Sequence, residues 1–336
     1  MNRFASNAVA AALACAACAS VHAQPAATIY GLLDMSAGRF QEPGSAAVRS
    51  TESGGMSTSF LGIRGGDDLG GGLRARFGLE TFIRVNEGAA GRSATDAFWG
   101  RTAYAGLQGA FGTSLLGRLP TPLWLSTRLF NPFGDSLGFS PAIRQYFGGS
   151  VLGDSRWNNS VAFSSPEVEN GLSYSFQLNG NDGGVGATGR NVGANFIYTS
   201  GPLAATVAWQ HVRNGAAPLP AGFDHQSVYQ IGASYELRWA RLFGQAGIVK
   251  TRAALDVKST PYQFGVAVPI GLGFVLASYG HAGTDSAGST LTRKTVSLGY
   301  DHYLSKSTDI YAVLMNEQAT GLASANTVAA GVRLRF

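Results

Sequence analysis

The sequence predicts an all-β protein, a 16-stranded antiparallel transmembrane β-barrel, and three observations carry that prediction. Apolar and polar residues alternate with a period of two along most of the chain. Short turns alternate with long polar loops. Charge is scarce, yet no apolar run is uninterrupted for the length of a spanning helix. Of 336 residues, 46 are Gly and only 13% are charged, where a soluble domain carries about a quarter. With 45% hydrophobic residues and a mean hydropathy of +0.05, the chain is too uncharged for disorder and too polar for a helical membrane bundle. Twelve Pro and no Gly-X-Y period exclude collagen-like and Pro-rich classes.

The first 23 residues read as a secretory signal peptide. Arg3 is their only charge, Ala8 to Ala19 form an apolar core, and Val21-His22-Ala23 is a small-residue cleavage site. A lipoprotein signal at Ala14-Cys15 is disfavoured by Ala12, where Leu is usual. Cleavage leaves residues 24–336 as the barrel domain and removes one charge from the formal +5. Cys15 and Cys18 leave with the signal, so disulfides, thiolate catalysis and Cys-ligated metals are excluded from the mature chain.

The alternation then continues to the end. Leu73, Ala75, Phe77 and Leu79 oppose Arg74, Arg76, Gly78 and Glu80. Leu172, Tyr174, Phe176 and Leu178 oppose Ser173, Ser175, Gln177 and Asn179. Leu203 to Gln210 and Tyr229 to Leu237 repeat the pattern, as does Val328 to Phe336, which ends on its apolar face. Such a period puts one face in an apolar medium and the other in water. The longest uncharged stretch, Ser259 to Gly280, contains Pro261 and Pro269 and alternates between them, which predicts a strand followed by a turn.

A secreted β-sandwich presents the same faces by burying them against each other. The barrel is favoured by aromatic residues at strand ends (Tyr30, Phe82, Tyr104, Trp209, Tyr235, Tyr300, Phe336), as interface girdles require. Short turns are expected at 66–72, 108–112, 166–171, 201–202, 238–241, 269–273 and 304–307. Long loops are expected near 41–57, 84–96, 120–155, 180–191, 213–226, 251–258, 282–292 and 317–325. These connections delimit sixteen strands, an even number as bacterial barrels have.

From end to end the chain resembles the trimeric general porins of Gram-negative outer membranes. Thr28-Ile29-Tyr30-Gly31-Leu32-Leu33-Asp34 resembles their first strand, and Gly65-Gly66-Asp67-Asp68-Leu69-Gly70-Gly71-Gly72-Leu73 their first turn. Phe111-Gly112 through Gly117-Arg118 and Thr121-Pro122 is similar to the strand entering their third loop, Asn131-Pro132-Phe133-Gly134 to a segment within it, and Arg156-Trp157-Asn158-Asn159-Ser160-Val161 to the strand leaving it. Leu298-Gly299-Tyr300, Leu304-Ser305-Lys306 and Gly331-Val332-Arg333-Leu334-Arg335-Phe336 complete the match.

The resemblance implies short periplasmic turns, long outer loops, a third loop folded into the lumen, a homotrimer, and a channel for small hydrophilic solutes and ions. It also implies that the barrel-assembly machinery reads Phe336 as an assembly signal. The chain departs from the family where Ser59-Phe60-Leu61-Gly62 lacks a constriction arginine, and where Leu119 replaces a Gln.

Parity points Arg74, Arg76 and Glu80 into the lumen, and Arg64 shares the parity of Gly62. By resemblance, Arg101 and Arg156 line the constriction, Arg118 lies where the wall meets loop three, and Asp135 and Asp154 sit in that loop opposite the wall. Opposed charges across a narrow channel order polar solutes, and the net positive charge predicts a mild anion preference. Arg333 and Arg335 are expected to pair with carboxylates or lipid phosphates instead. Trp124, Phe130, Phe133 and Phe139 are expected to pack loop three onto the wall, although a row of aromatics also suits a substrate-specific channel.

An outer-membrane hydrolase is the rival from another class. His211, His225, His281 and His302 form no HExxH, and no GxSxG is present, so no catalytic or metal site is assigned. No cofactor is called for. The run Gly183-Gly184-Val185-Gly186 reads as an outer loop, and dispersed Arg residues argue against nucleic acid. The expected surroundings are outer-membrane lipids and lipopolysaccharide.

Overall fold

The computed structural model describes residues 26–166, 171–180, 190–213 and 219–336. The predicted signal peptide, with Cys15 and Cys18, and the glycine run 183–186 lie outside the described residues.

The strands are β1 (Ala26–Phe40), β2 (Val48–Ser53), β3 (Phe60–Gly70), β4 (Leu73–Arg84), β5 (Ala89–Ala90), β6 (Thr102–Gly109), β7 (Gly112–Pro120), β8 (Arg156–Ser164) and β9 (Leu172–Asn179). They continue as β10 (Val192–Ser200), β11 (Leu203–Val212), β12 (His225–Glu236), β13 (Arg241–Arg252), β14 (Val257–Ile270), β15 (Gly273–Ser286), β16 (Ser289–Tyr303), β17 (Thr308–Ala319) and β18 (Ala325–Arg335). β2 pairs with one half of β1 and β3 with the other, so together they form one wall strand. The two-residue β5 pairs only with the end of β4. Sixteen wall strands remain, and β1 closes the ring on β18 from Leu32↔Arg335 to Arg39↔Val328. All pairings are antiparallel, which leaves no edge strand.

The faces invert the pattern of a soluble protein. Val207, Ile231, Phe264, Leu298, Leu314 and Val328 are exposed on the outside, while Gln177, Gln210, Gln230, Gln263, Thr295 and Ser297 are buried inside. Exposed apolar area on this scale matches a hydrocarbon surround, not water. Among the described residues no helix is long and apolar enough to cross a membrane.

Most predicted turns fall where expected, as at Gly201-Pro202 and at Gly271-Leu272, where Gly271 has φ +59°. Proline leaves its mark on the ladder. The β13–β14 pairing reaches Ala246↔Tyr262 and resumes at Val249↔Ser259, passing over Pro261, which has no N–H to donate.

Two loop expectations need correction. The loop expected at 282–292 is a tight turn between Ser286 and Ser289, because β15 and β16 pair along their full length. The loop expected at 41–57 contains β2, and the real interruption is at 54–59. There Asp34 replaces the missing ladder partner: its main-chain oxygen accepts from Gly54 N at 2.8 Å, and its carboxylate accepts from Ser57 N at 2.6 Å and the Tyr311 hydroxyl at 2.5 Å.

The connection from β7 to β8 folds into the barrel. It holds α1 (Pro122–Leu129), α2 (Pro141–Gln145) and a π-helical turn (Tyr146–Ser150). Each helix begins with Pro after a hydroxyl cap: Thr121 accepts from Trp124 N at 3.1 Å and Ser140 from Ile143 N at 3.3 Å. Trp124, Phe130, Phe133 and Phe139 are buried, as expected of residues that pack this loop.

Candidate functional site

The site is the lumen where loop three narrows it, and its two sides are built differently. On the β9–β16 side, neutral polar residues hold the loop. Asn195 donates to Pro122 O at 3.1 Å and Ser126 Oγ at 3.0 Å. Gln230 donates to Thr127 Oγ1 at 2.9 Å and to Gln245 Oε1 at 2.7 Å. Gln245 in turn donates to the carbonyls of Thr127 and Phe130 and to Gln263, which donates to Ser278 at 2.9 Å. Further round, Ser297 donates to Phe139 O at 2.7 Å. Sequence parity placed Gln230 on the polar face of its strand but did not show that the loop covers it. The signal was present in the recurrence of Gln at inward positions of adjacent strands.

The opposite side, β3 to β8, carries guanidinium groups. Arg101 lies 3.7 Å over the Phe60 ring and pairs with Glu80, which also accepts from the Tyr30 hydroxyl at 2.5 Å. Phe60, which stands where the resembled pattern has an arginine, therefore supplies a platform for the Arg101 guanidinium. Phe82 is surrounded by Arg92, Arg101 and Arg156 at 5.3, 5.9 and 5.1 Å from its centroid. Such contacts contribute about 0.5–1 kcal/mol where the cation is solvated and about 2 kcal/mol where it is desolvated, as Arg156 is. Arg118 donates to Gly100 O at 2.6 Å, to Asn158 at 2.7 Å and to Asp154 at 3.4 Å. Arg156 is only 6% exposed. It lies between Phe82 and Trp124, with Ser155 Oγ as a hydrogen-bond acceptor at 2.9 Å.

Nearer the turn end, Arg64 lies 4.5 Å over Tyr30, Arg74 approaches Asp68 at 3.7 Å, and Arg76 donates to Gln108 at 3.2 Å. All three are exposed. Together with Tyr104 and Thr28 they line a cavity of about 530 Å³.

The expected opposition of acidic loop and basic wall is not what forms. Asp154 precedes β8 by two residues, where the loop has already returned to the wall. Its carboxylate meets Arg92 at 3.0 and 3.1 Å as well as Arg118. Burial pushes its carboxyl up, but hydrogen bonding and charge from Arg92, with the Ser155 amide and Arg118, outweigh burial and hold it at about 2. Asp135 lies at the loop's tip, accepting from Ser57 Oγ at 3.1 Å. Glu80 is likewise an arginine partner and not a free lumen charge.

The girdle expectation also changes. Tyr30, Phe82 and Tyr104 turn inward; Trp209, Tyr235, Tyr300 and Phe336 keep the outward parity. Phe336 exchanges backbone hydrogen bonds with Gly31 at 3.0 and 3.2 Å.

Arg333 pairs with Asp301 at 2.5 Å and Asp309 at 2.7 Å, and Arg335 with Asp309 at 2.5 Å, as expected of those two arginines. One lumen cation escaped the sequence reading. Arg128, in the last turn of α1, is exposed.

A closed barrel with an oily exterior, a polar interior and an inward loop defines a membrane-spanning channel protein. The sequence model of the Gram-negative porin family matches residues 8–322, and the chain belongs to that family. It is 31% identical to outer membrane porin protein 32 of Delftia acidovorans over 95% of this chain and 92% of the relative. The major outer membrane protein P.IB of Neisseria gonorrhoeae is 26% identical over 84% of this chain and 85% of its own. Among solved structures, an anion-selective porin from Comamonas acidovorans superposes with a TM-score of 0.80 at 25% identity, covering 93% of this chain and all of that one. The protein is an outer-membrane porin, a passive diffusion channel.

Proposed function

We propose that the channel passes small hydrophilic solutes and ions with a mild preference for anions. One observation carries the reading: five carboxylates of the inner wall and loop three are spent on ion pairs with arginine, while part of the lumen's arginine has no such partner. Glu80, Asp154, Asp301, Asp309 and Glu317 each have an arginine partner. Arg64, Arg76 and Arg156 contact rings, an amide or a hydroxyl, Arg128 is exposed, and none of the four has an ion-pair partner among the described residues. An uncompensated cation in a low-dielectric wall attracts anions and repels cations along the path.

In this reading Arg64, Arg74 and Arg76 collect anions at the turn-end mouth. Arg101, Arg118 and Arg156 set the potential at the constriction, and Arg156 acts through its field because it is buried. Glu80, Asp135 and Asp154 moderate that potential. The anion-selective relative supports the sign. Reversal potentials across a planar bilayer in a KCl gradient test it; a potential of the sign for cation preference refutes it.

Three assembly features belong to the same proposal. The channel works as a homotrimer, a form also recorded for an outer membrane protein of Vibrio cholerae with the same fold. Phe336 presents its outward ring at the β1–β18 seam to the barrel-assembly machinery. Outer-membrane lipids, lipopolysaccharide among them, cover the exterior.

A further inference from the structure

Gly78 on β4 is the centre of a small constellation on the lumen wall. Directly across from it stand Arg64 on β3 and Tyr104 on β6, and Arg76 precedes it by two residues on the same face. A side chain at Gly78 would not fit. A Cβ there would lie 2.6–2.9 Å from three atoms along the edge of Tyr104, its hydroxyl included. On the other flank of Tyr104 the residue directly across is again a glycine, Gly117. At its own level, therefore, no side chain of either neighbouring strand covers the Tyr104 ring.

The other rings of this wall already carry guanidinium groups. Arg64 lies over Tyr30, Arg101 over Phe60, and Arg92, Arg101 and Arg156 surround Phe82. Tyr104 is half-buried and has no ring or guanidinium stacked on it among the described residues. It borders the turn-end cavity of about 530 Å³ together with Arg64, Arg76, Thr28 and Gln108. That volume lies within the range of small-ligand sites, about 300–1,000 Å³.

The charge beside the ring is positive. Arg64 and Arg76 are diagonal neighbours on paired strands, a separation long side chains can bridge. Both are exposed and without an ion-pair partner among the described residues. The nearby acids are committed elsewhere. Glu80 is held by Arg101 and the Tyr30 hydroxyl, and Asp68 by Arg74 and the Gly70 amide. Asp67 also borders the cavity but has the outward parity of Ala75, its partner across the strand.

Two adjacent guanidinium groups repel each other, and one carboxylate accepting from both offsets that repulsion. The uncovered ring beside them favours a flat apolar body. An inorganic anion uses the arginines and leaves the ring in water, whereas a neutral sugar uses the ring and leaves the cations unmatched. A carboxylate borne on an aromatic ring uses both.

We propose that Arg64, Arg76 and Tyr104 form a binding site for aryl carboxylates, solutes whose carboxylate is attached to a planar ring. The proposal rests on the reading of this mouth as a collector of anions, and it names the class of anion retained there. The carboxylate sits between the two guanidinium groups and the solute's ring lies against Tyr104.

The test is a saturation-transfer NMR titration of the detergent-solubilised full-length protein with benzoate. Cyclohexanecarboxylate, of equal charge but with a puckered ring, is the comparison. Ring stacking contributes about twofold to tenfold, so the parent is expected to bind benzoate tighter than cyclohexanecarboxylate by that factor. Tyr104→Leu is expected to abolish the difference, and Tyr104→Phe to keep it. Arg64→Gln/Arg76→Gln is expected to weaken both ligands on the order of tenfold or more. Arg128→Gln, in loop three, is expected to bind as the parent does.

Equal parental affinity for the two carboxylates overturns the site, and this comparison needs no substitution. Parental benzoate affinity in Tyr104→Leu or in the double arginine variant overturns it as well. Reversal potentials in a KCl gradient separate the two readings. Anion preference with no benzoate advantage overturns the site and leaves the channel reading standing. Cation preference with a Tyr104-dependent benzoate advantage overturns the sign of selectivity and leaves the site standing.

Discussion

The two sides of the lumen have the same backbone and the same parity rule but opposite chemistry. The β9–β16 side is lined by Gln, Asn, Ser and Thr, whose hydrogen bonds end on main-chain oxygens and hydroxyls of loop three. The β3–β8 side is lined by Arg, stacked on rings and only partly neutralised. The difference separates two tasks. Amides satisfy buried backbone groups at no net charge, so they fix the loop without disturbing the potential. Guanidinium groups retain their charge in almost any setting, so they set the potential and leave the anchoring to others.

The comparison predicts that selectivity and loop anchoring can be broken separately. The largest effect is expected from Arg101→Glu, which reverses a charge beside Glu80 at the constriction. The reversal potential is predicted to move strongly towards cation preference with the barrel intact, and an unchanged potential removes Arg101 from the conduction path.

Next comes Gln245→Ala. It strips donors from the buried carbonyls of Thr127 and Phe130, each stranded group costing about 1–3 kcal/mol. Loop three is predicted to loosen, seen as noisier single-channel current and a lower midpoint of heat-induced unfolding in detergent. The sign of selectivity is expected to stay.

Asp154→Asn should have an intermediate effect. Removing the carboxylate between Arg92 and Arg118 raises the cation excess, so anion preference is predicted to strengthen. The parent offers a pH counterpart. The Asp154 carboxyl titrates at about 2 in the folded protein, below an ordinary aspartate near 4. Its contribution to stability is therefore complete above about pH 4 and is lost as pH falls through about 2. Lowering the pH from 7 to 3 is expected to leave this pairing intact, which loop-three proteolysis at pH 3 can check.

The smallest effect is predicted for Arg128→Gln, which removes one solvated charge from the loop's lumen side. A shift of a few millivolts in reversal potential is the expected scale, with unfolding unaffected.

The barrel wall was legible because its signal is local. Period-two alternation in Leu73 to Glu80 or Tyr229 to Leu237 needs only consecutive residues, and the lipid face imposes it on every strand. The exceptions have a physical cause. Tyr30, Phe82 and Tyr104 carry aromatic rings that suit a membrane boundary, but here Tyr30 and Phe82 serve as platforms for Arg64, Arg92, Arg101 and Arg156 and Tyr104 lines the turn-end cavity, uses decided by residues far away in sequence. Asp154 was legible as a loop-three acid, whereas its placement against the wall depends on where the loop turns back. The break at 54–59 depends on the side chain of Asp34, which no periodicity reveals. The turn between Ser286 and Ser289 was obscured by polar residues at 282–292, because strands that rise past the membrane into water no longer need an oily face.

Asp34 links three parts of the molecule. Its carboxylate receives the Tyr311 hydroxyl from β17 and the amide of Ser57, and Ser57 also receives Arg333 and meets Asp135 at the tip of the inward loop. Any push on that tip, from a jammed permeant or an applied voltage, is thus transmitted to the place where the cylinder's first and last staves meet. Loosening the inward plug therefore takes hydrogen-bond partners away from the seam that closes the cylinder.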